Sequence, residues 1–295
     1  MTAASAQPAS VAEAIRRGLG DCTPAERKVG RVLLASYPSA GFETVAKLAA
    51  RAGVSGPTVV RFANRLGYSG FPEFQQALRD DLDQRSASPL SIYDRAREAA
   101  GEQQQSPEGG VLERAAATTV QTVDATFRRL APHDFDACVE LLADAKGSVW
   151  LAGGRYSGLL ARFLAQHLLQ LRPRVAMLPD DPSTRAAVVA GLGRADALVV
   201  FDYRRYEEST RSLVEHVRAQ RVPVVLFTDA WLSPIASEAD VVVQSETTSA
   251  SPFDAMTPAL ALVEAVIAGC LERLGDRATE RMRRIERSAS QLGLY

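Results

Sequence analysis

Cysteine and histidine are scarce in this chain, three of each in 295 residues. Cys22, Cys138 and Cys270 lie far apart and are odd in number, which excludes a disulfide framework and fits a reducing cytoplasm. Neither they nor the histidines show metal-ligand spacing, so no metal and no cofactor is expected. His167 and His216 fall in helical segments and His133 in a loop or helix start, where packing or surface roles suit them better than catalysis. Gly-x-Ser-x-Gly and phosphate-loop patterns are missing as well. No apolar run approaches the roughly 20 residues of a membrane span. The longest, ALALVEAVIAGCLERL, is interrupted by Glu264 and reads as a core or dimer-interface helix. The opening MTAASAQPAS lacks a basic start and an apolar run, so no signal peptide is expected. The net charge of −1 excludes a polycation, and any nucleic-acid footprint has to be local.

What is present is a globular composition, 46% hydrophobic and 23% charged, at a length that suits about two domains. Residues 1–85 read as an all-α bundle. TPAERKVGRVLLASYP opens with Thr23 as N-cap, Pro24 in the first helical position and Glu26 as the third residue of a capping box. The stretch from Thr44 to Leu66 has the spacing of a helix-turn-helix. Thr44 caps a helix over Val45–Ala52, Ala49 is small enough for close packing, Gly53 turns the chain, and Ser55 caps a second helix with Pro57 in its first turn. On that second helix Val59, Phe62, Ala63 and Leu66 share one side, while Pro57, Thr58, Arg61, Asn64 and Arg65 share the other. An exposed face of Thr, Arg, Asn and Arg suits the major groove, where Arg pairs with guanine and Asn with adenine. Between Pro24 and Arg79 eight Lys or Arg stand against three Asp or Glu, a local net of +5. A basic patch on a near-neutral chain is the footprint of phosphate binding. The candidate DNA contacts are Thr58, Arg61, Asn64 and Arg65 on the second helix, joined by Thr44, Lys47 and Ser55 around the turn.

Residues 86–110 shift to Gln, Ser, Pro and Gly and read as a linker around a short helix. Residues 111–295 alternate. Short apolar strands at SVWLA, RVAML, ALVVF, VPVVLF and DVVVQ are separated by amphipathic helices, the pattern of a parallel sheet covered on both faces. Ligands in such sheets sit beyond the carboxyl ends of the strands. Three junctions qualify: LAGGRYSGLLAR, with Gly153, Gly154, Arg155 and Ser157; FDYRRYEEST, with Asp202, Arg204 and Arg205; and LFTDAWLSPIA, with Thr228. Glu246 and Asp254 follow the last strand and are acidic candidates for the same region.

The segment from TPAERKVGRVLLASYP through VSGPTVVRFANRLGYSGFPEF resembles the N-terminal domain of the MurR/RpiR family of bacterial transcription regulators. The resemblance continues through the linker to a sugar-isomerase (SIS) domain. It implies an N-terminal helix-turn-helix bundle followed by a SIS-type, doubly wound, parallel five-stranded α/β sandwich. It also implies a cytoplasmic, DNA-binding homodimer or homotetramer that recognises a double-stranded operator and responds to a small metabolite. In regulators of this kind the first junction reads roughly Gly-x-Gly-x-Ser and the second Ser-x-Ser-Gly-x-Thr/Ser, together cradling a sugar phosphate. This chain departs from both. Arg155 stands in place of the second glycine of the first motif. In the second, Asp202 and Arg204 replace the serines, Arg205 the glycine and Glu207 the final hydroxyl.

The arginines suit a carboxylate or phosphate, because the planar guanidinium donates two parallel hydrogen bonds. They equally suit an internal network with Asp202, Glu207 or Glu208, or a subunit interface. Two other functions stay open: a SIS enzyme acting on sugar phosphates, against which the DNA-reading helix argues, and a DNA-binding protein whose SIS domain only dimerises. The favoured expectation is a regulator sensing a sugar phosphate or another small anion.

Overall fold

The computed structural model describes residues 10–103 and 110–294. The chain divides into two units, one of Met1–Ile92 with Ala230–Pro234, the other of Tyr93–Asp229 with Ile235–Tyr295.

The first unit is helical. Ser10 caps α1 (Val11–Gly18), accepting the Glu13 N–H. Thr23 and Glu26 close a full capping box on α2 (Pro24–Ala35), as their spacing predicts. Thr44 caps α3 (Val45–Ala52), its hydroxyl accepting the Lys47 N–H at 3.3 Å. Gly53 then turns the chain in the left-handed region at φ 61°, where a side chain would be strained. The Val54 N–H bonds back to the Ala49 carbonyl, and α4 (Gly56–Arg65) and α5 (Phe71–Ser86) follow. Val29, Leu33, Leu48, Val59, Phe62 and Phe74 are completely or almost completely buried where these helices meet. Each such side chain contributes about 1.5–3 kcal/mol by leaving water.

Only Ala87 and Ser88 separate α5 from α6 (Pro89–Gln103). Most of the segment expected as a linker is therefore helical, or lies outside the described residues. Pro89 starts the helix, and its Ala, Arg, Glu and Gln are strong helix formers that outweigh the Gly and Ser beside them.

The second unit begins with α7 (Val111–Arg129) and α8 (Pro132–Asp144). Then come β1 (Val149–Gly153), α9 (Ser157–Leu171), β2 (Val175–Met177), α10 (Pro182–Ala190), β3 (Ala197–Asp202), α11 (Glu208–Ala219), β4 (Val224–Asp229), β5 (Val241–Ser245), α12 (Thr257–Leu274) and α13 (Asp276–Gln291). All five strands are parallel, in the order β2-β1-β3-β4-β5. Alternation divides the central strands between two cores. Val199, Phe201, Val225 and Phe227 pack with α8, α9 and α12. Leu198, Val200, Val224 and Leu226 pack with α10 and α11. β3 and β4 are buried throughout, which explains their unbroken apolar character. They also run further than the apolar pattern predicts, to Asp202 and to Asp229, because the packed neighbours bury these polar ends. The order of strands reverses between β1 and β3, the switch point at which open α/β sheets hold ligands. Among the described residues no helix is long and apolar enough to cross a membrane.

Candidate effector site and DNA-reading face

The switch point is built by a close approach of backbone. A methyl group on Gly153 would lie 2.8 Å from the Gly158 nitrogen, so only glycine lets β1 end against the first turn of α9. The Ser157 hydroxyl accepts the Gly154 N–H at 3.0 Å and donates to the Phe201 carbonyl at 2.8 Å. It thereby ties the loop after β1 to the end of β3.

The loop after β3 is organised by Asp229, fully buried at the end of the adjacent strand. One of its oxygens accepts the Arg204 backbone N–H and the other the Tyr206 hydroxyl, both at 2.7 Å. Arg205 takes the left-handed conformation, φ 73°. Arg205, at the position where the resemblance implies a glycine, thus has a glycine's backbone shape, at the strain such a conformation costs a side chain. Tyr203 points inward, its hydroxyl 3.0 Å from that of Ser245, and burial holds its phenol well above the ordinary range, so it stays protonated.

Gly154, Arg155, Ser157, Asp202, Arg204 and Arg205 meet at one cavity of about 370 Å³. Tyr156 and Phe253, both largely exposed, also line it. Arg204 and Arg205 both reach an acid from beyond the last strand. Asp254, from the loop between β5 and α12, places one carboxylate oxygen 3.2 Å from Arg204 Nη2 and the other 3.5 Å from Arg205 Nη2. The Arg204 and Asp254 side chains are only 9% and 12% exposed, whereas Arg205 is 46% exposed. Arg155 lies over the Tyr156 ring, 5.3 Å from its centroid. A second cavity of about 380 Å³ shares Gly154, Arg155 and Glu207 with the first and adds Arg162, Asp180 and Arg185.

Thr228 corrects an expectation. It is fully buried within β4, on the face of Leu226, and is not among the residues lining either cavity. Two acids carry more of the site than the sequence suggests. Asp229 reads locally as a turn residue, and only the pairing of Asp202 with Thr228 brings it beside the loop. Asp254 is placed by a loop without regular structure.

On the helix-turn-helix, Lys47, Ser55, Arg61 and Asn64 are exposed. Thr58 is not. It is 5% exposed, and its hydroxyl accepts from Arg61 Nη2 at 3.1 Å and shares a 2.9 Å hydrogen bond with Ser55. The expected polar face is thus interrupted at Thr58, which the neighbouring side chains cover. Arg65 is drawn aside as well, with Nε 3.0 Å from the carboxylate of buried Glu26 on α2.

Residues 9–85 match the helix-turn-helix domain of the rpiR family, and residues 141–269 match the SIS domain. The chain is 28% identical over 283 residues to the HTH-type transcriptional regulator HexR of Pseudomonas aeruginosa, covering 94% of each protein. It is 24% identical over 283 residues to HexR of Escherichia coli K12, covering 95% of this chain and 94% of that one. The sugar isomerase domain of an RpiR transcription factor from Sphaerobacter thermophilus shares the SIS fold, with a TM-score of 0.55 at 24% identity over 59% of this chain and 96% of that one. The Vibrio vulnificus NanR protein complexed with ManNAc-6P gives a TM-score of 0.53 at 19% identity, over 94% of this chain and 97% of that one. With both domains matched in tandem and full-length relatives of the same organisation, the chain belongs to the RpiR family of DNA-binding transcriptional regulators.

Proposed function

We propose that the SIS domain senses a small acidic metabolite, bound through its carboxylate or phosphate at the switch-point cavity. The observation that carries this reading is the meeting of Arg155, Arg204 and Arg205 at one cavity beside the buried carboxylate of Asp202. Guanidinium groups favour an oxyanion, and Asp202 favours a ligand hydroxyl or ammonium group. A compound carrying both, such as a hydroxy acid or a sugar phosphate, matches the pair. NanR, with the same fold, holds ManNAc-6P, which supports a phosphosugar. The replacement of the hydroxyl cradle by Asp202, Arg204 and Glu207 supports a different member of the anionic class.

Arg61 and Asn64 read bases from α4, and Thr44, Lys47 and Ser55 contact phosphates around the turn. Arg65 and Thr58 support that face from behind. Exposed Val111, Leu112 and Val120 on α7 support assembly as a homodimer or homotetramer. The effector then selects among arrangements of two reading helices that fit operator half-sites unequally.

A thermal-shift screen of sugar phosphates and carboxylic acids against the full chain tests the effector class, since a ligand bound only to the folded state raises its melting temperature. Arg204→Ala with Arg205→Ala removes the shift and leaves operator affinity intact. An undiminished shift in that double variant overturns the site.

A further inference from the structure

We propose that Asp254 is a built-in anion that competes with the effector for Arg204 and Arg205, and that its displacement is relayed through its loop to α7. This inference rests on the anion-sensing reading of the cavity.

One carboxylate oxygen of Asp254 faces each arginine, the arrangement an incoming carboxylate or phosphate takes between two guanidinium groups. The same donors cannot serve both anions fully. Both the Arg204 and Asp254 side chains are largely withdrawn from water. Vacating the clamp without a substitute takes one anion away from a largely buried cation, whereas an entering anion replaces it. Two discrete states follow, clamp closed on Asp254 or clamp closed on ligand.

The connections of the loop give the displacement a direction. Arg204 also reaches the Thr247 hydroxyl at 3.5 Å, and the Ala255 N–H closes on the Thr247 carbonyl at 2.8 Å. Next to Thr247, the Glu246 backbone N–H bonds to the Thr126 hydroxyl at 3.0 Å, and its carboxylate is paired with Arg129. Thr126 and Arg129 lie in the last turn of α7, the first helix after the segment that joins the chain to its DNA-binding domain. At its other end the loop runs directly into α12, which packs on α7. A ligand that replaces Asp254 therefore acts on the anchors of α7 without touching that helix.

The test uses the full chain, inorganic phosphate as probe at constant ionic strength, calorimetry for affinity and hydrogen exchange for the relay. Asp254→Asn removes the competing charge with little change of shape. It should bind phosphate about tenfold more tightly than the parent protein, the effect of removing a competitor worth about 1.4 kcal/mol. Without phosphate, it should already show the exchange pattern over residues 246–256 and α7 that phosphate induces in the parent. Arg129→Gln should keep the phosphate affinity within about twofold, since it lies outside the cavity, and lose the change in α7. If Asp254→Asn melts below the assay temperature, Asp254→Ser takes its place with the same expectations. Equal or weaker phosphate binding by the Asp254 variant overturns the competition and leaves the anion site standing. A normal α7 response in Arg129→Gln overturns the relay. Phosphate binding by none of the proteins overturns this inference and the phosphate form of the sensing reading, while a thermal shift by no acid at all overturns that reading whole.

Discussion

Arg65 donates its Nε–H to the carboxylate of Glu26 at 3.0 Å, locking the C-terminal end of the reading helix onto the capping box of α2. Burial alone pushes the Glu26 carboxyl up, but the Thr23 backbone and hydroxyl and the Arg65 guanidinium together hold it below the ordinary carboxylate range. The folded state therefore gives up this proton more readily than the unfolded chain. Its contribution is complete above the unfolded value of about 4.3 and is lost as pH falls through the lower folded value. Glu26→Gln should flatten this part of the acid dependence. Arg65→Gln, which breaks a pair exposed on one side, should cost about 1 kcal/mol. Hydrogen exchange of α2 and α4 between about pH 6 and 3 measures both effects. Equal acid slopes in Glu26→Gln and the parent would remove Glu26 from the account.

Thr58 sits under Arg61 and accepts its hydrogen bond. Thr58→Val keeps the shape and the burial but releases the guanidinium, so operator affinity should fall about fivefold, the value of one hydrogen bond near 1 kcal/mol. Arg61→Ala should cost about 1–3 kcal/mol if it pairs with a base. The combined variant should lose clearly less than the sum of the two single losses, because Thr58 acts in large part through Arg61. Fluorescence anisotropy on an operator selected from a random pool gives the three numbers, and additive losses would give Thr58 a separate role.

Lys47, with its side chain 68% exposed, is only loosely paired to Glu43 at 3.7 Å. It is free to reach a phosphate, where it neutralises charge without reading sequence. Lys47→Ala should weaken operator and unrelated DNA alike and lower the salt slope of log affinity by about 1. A loss confined to the operator would make Lys47 a base-reading residue instead.

How far the sequence reaches depends on how local the cause is. Thr44 as cap, Gly53 as turn and the alternation along β3 each act within a few residues, and each stands in the fold where its pattern places it. The convergence of the loops after β1 and β3 also follows, because the order of parallel strands puts a site at the switch point. Thr58 and Thr228 depart from their expected places for one reason: neighbouring elements cover a polar side chain that the local pattern leaves on a helix face or beyond a strand end. Asp254 is legible only as a candidate acid for the region, not as the partner of Arg204 and Arg205, for another reason. Asp254 lies some fifty residues further on in a loop without regular structure, and no periodicity fixes where such a loop folds back.

Arg205 holds a left-handed backbone at φ 73°, which disfavours any residue with a Cβ. Its guanidinium is half exposed and 3.5 Å from Asp254, so the ion pair offsets little of that strain. Arg205→Ala and Arg205→Gly both lose the charge but differ in backbone freedom. Arg205→Gly should leave the SIS domain about 1 kcal/mol more stable than Arg205→Ala, a difference assignable to strain because the lost side-chain contacts are shared. Both should weaken anion binding equally. Urea unfolding followed by circular dichroism, with phosphate titrations alongside, separates the two effects. If the alanine and glycine variants unfold at the same urea concentration, the arginine is not strained, and its place at a glycine position costs the fold nothing.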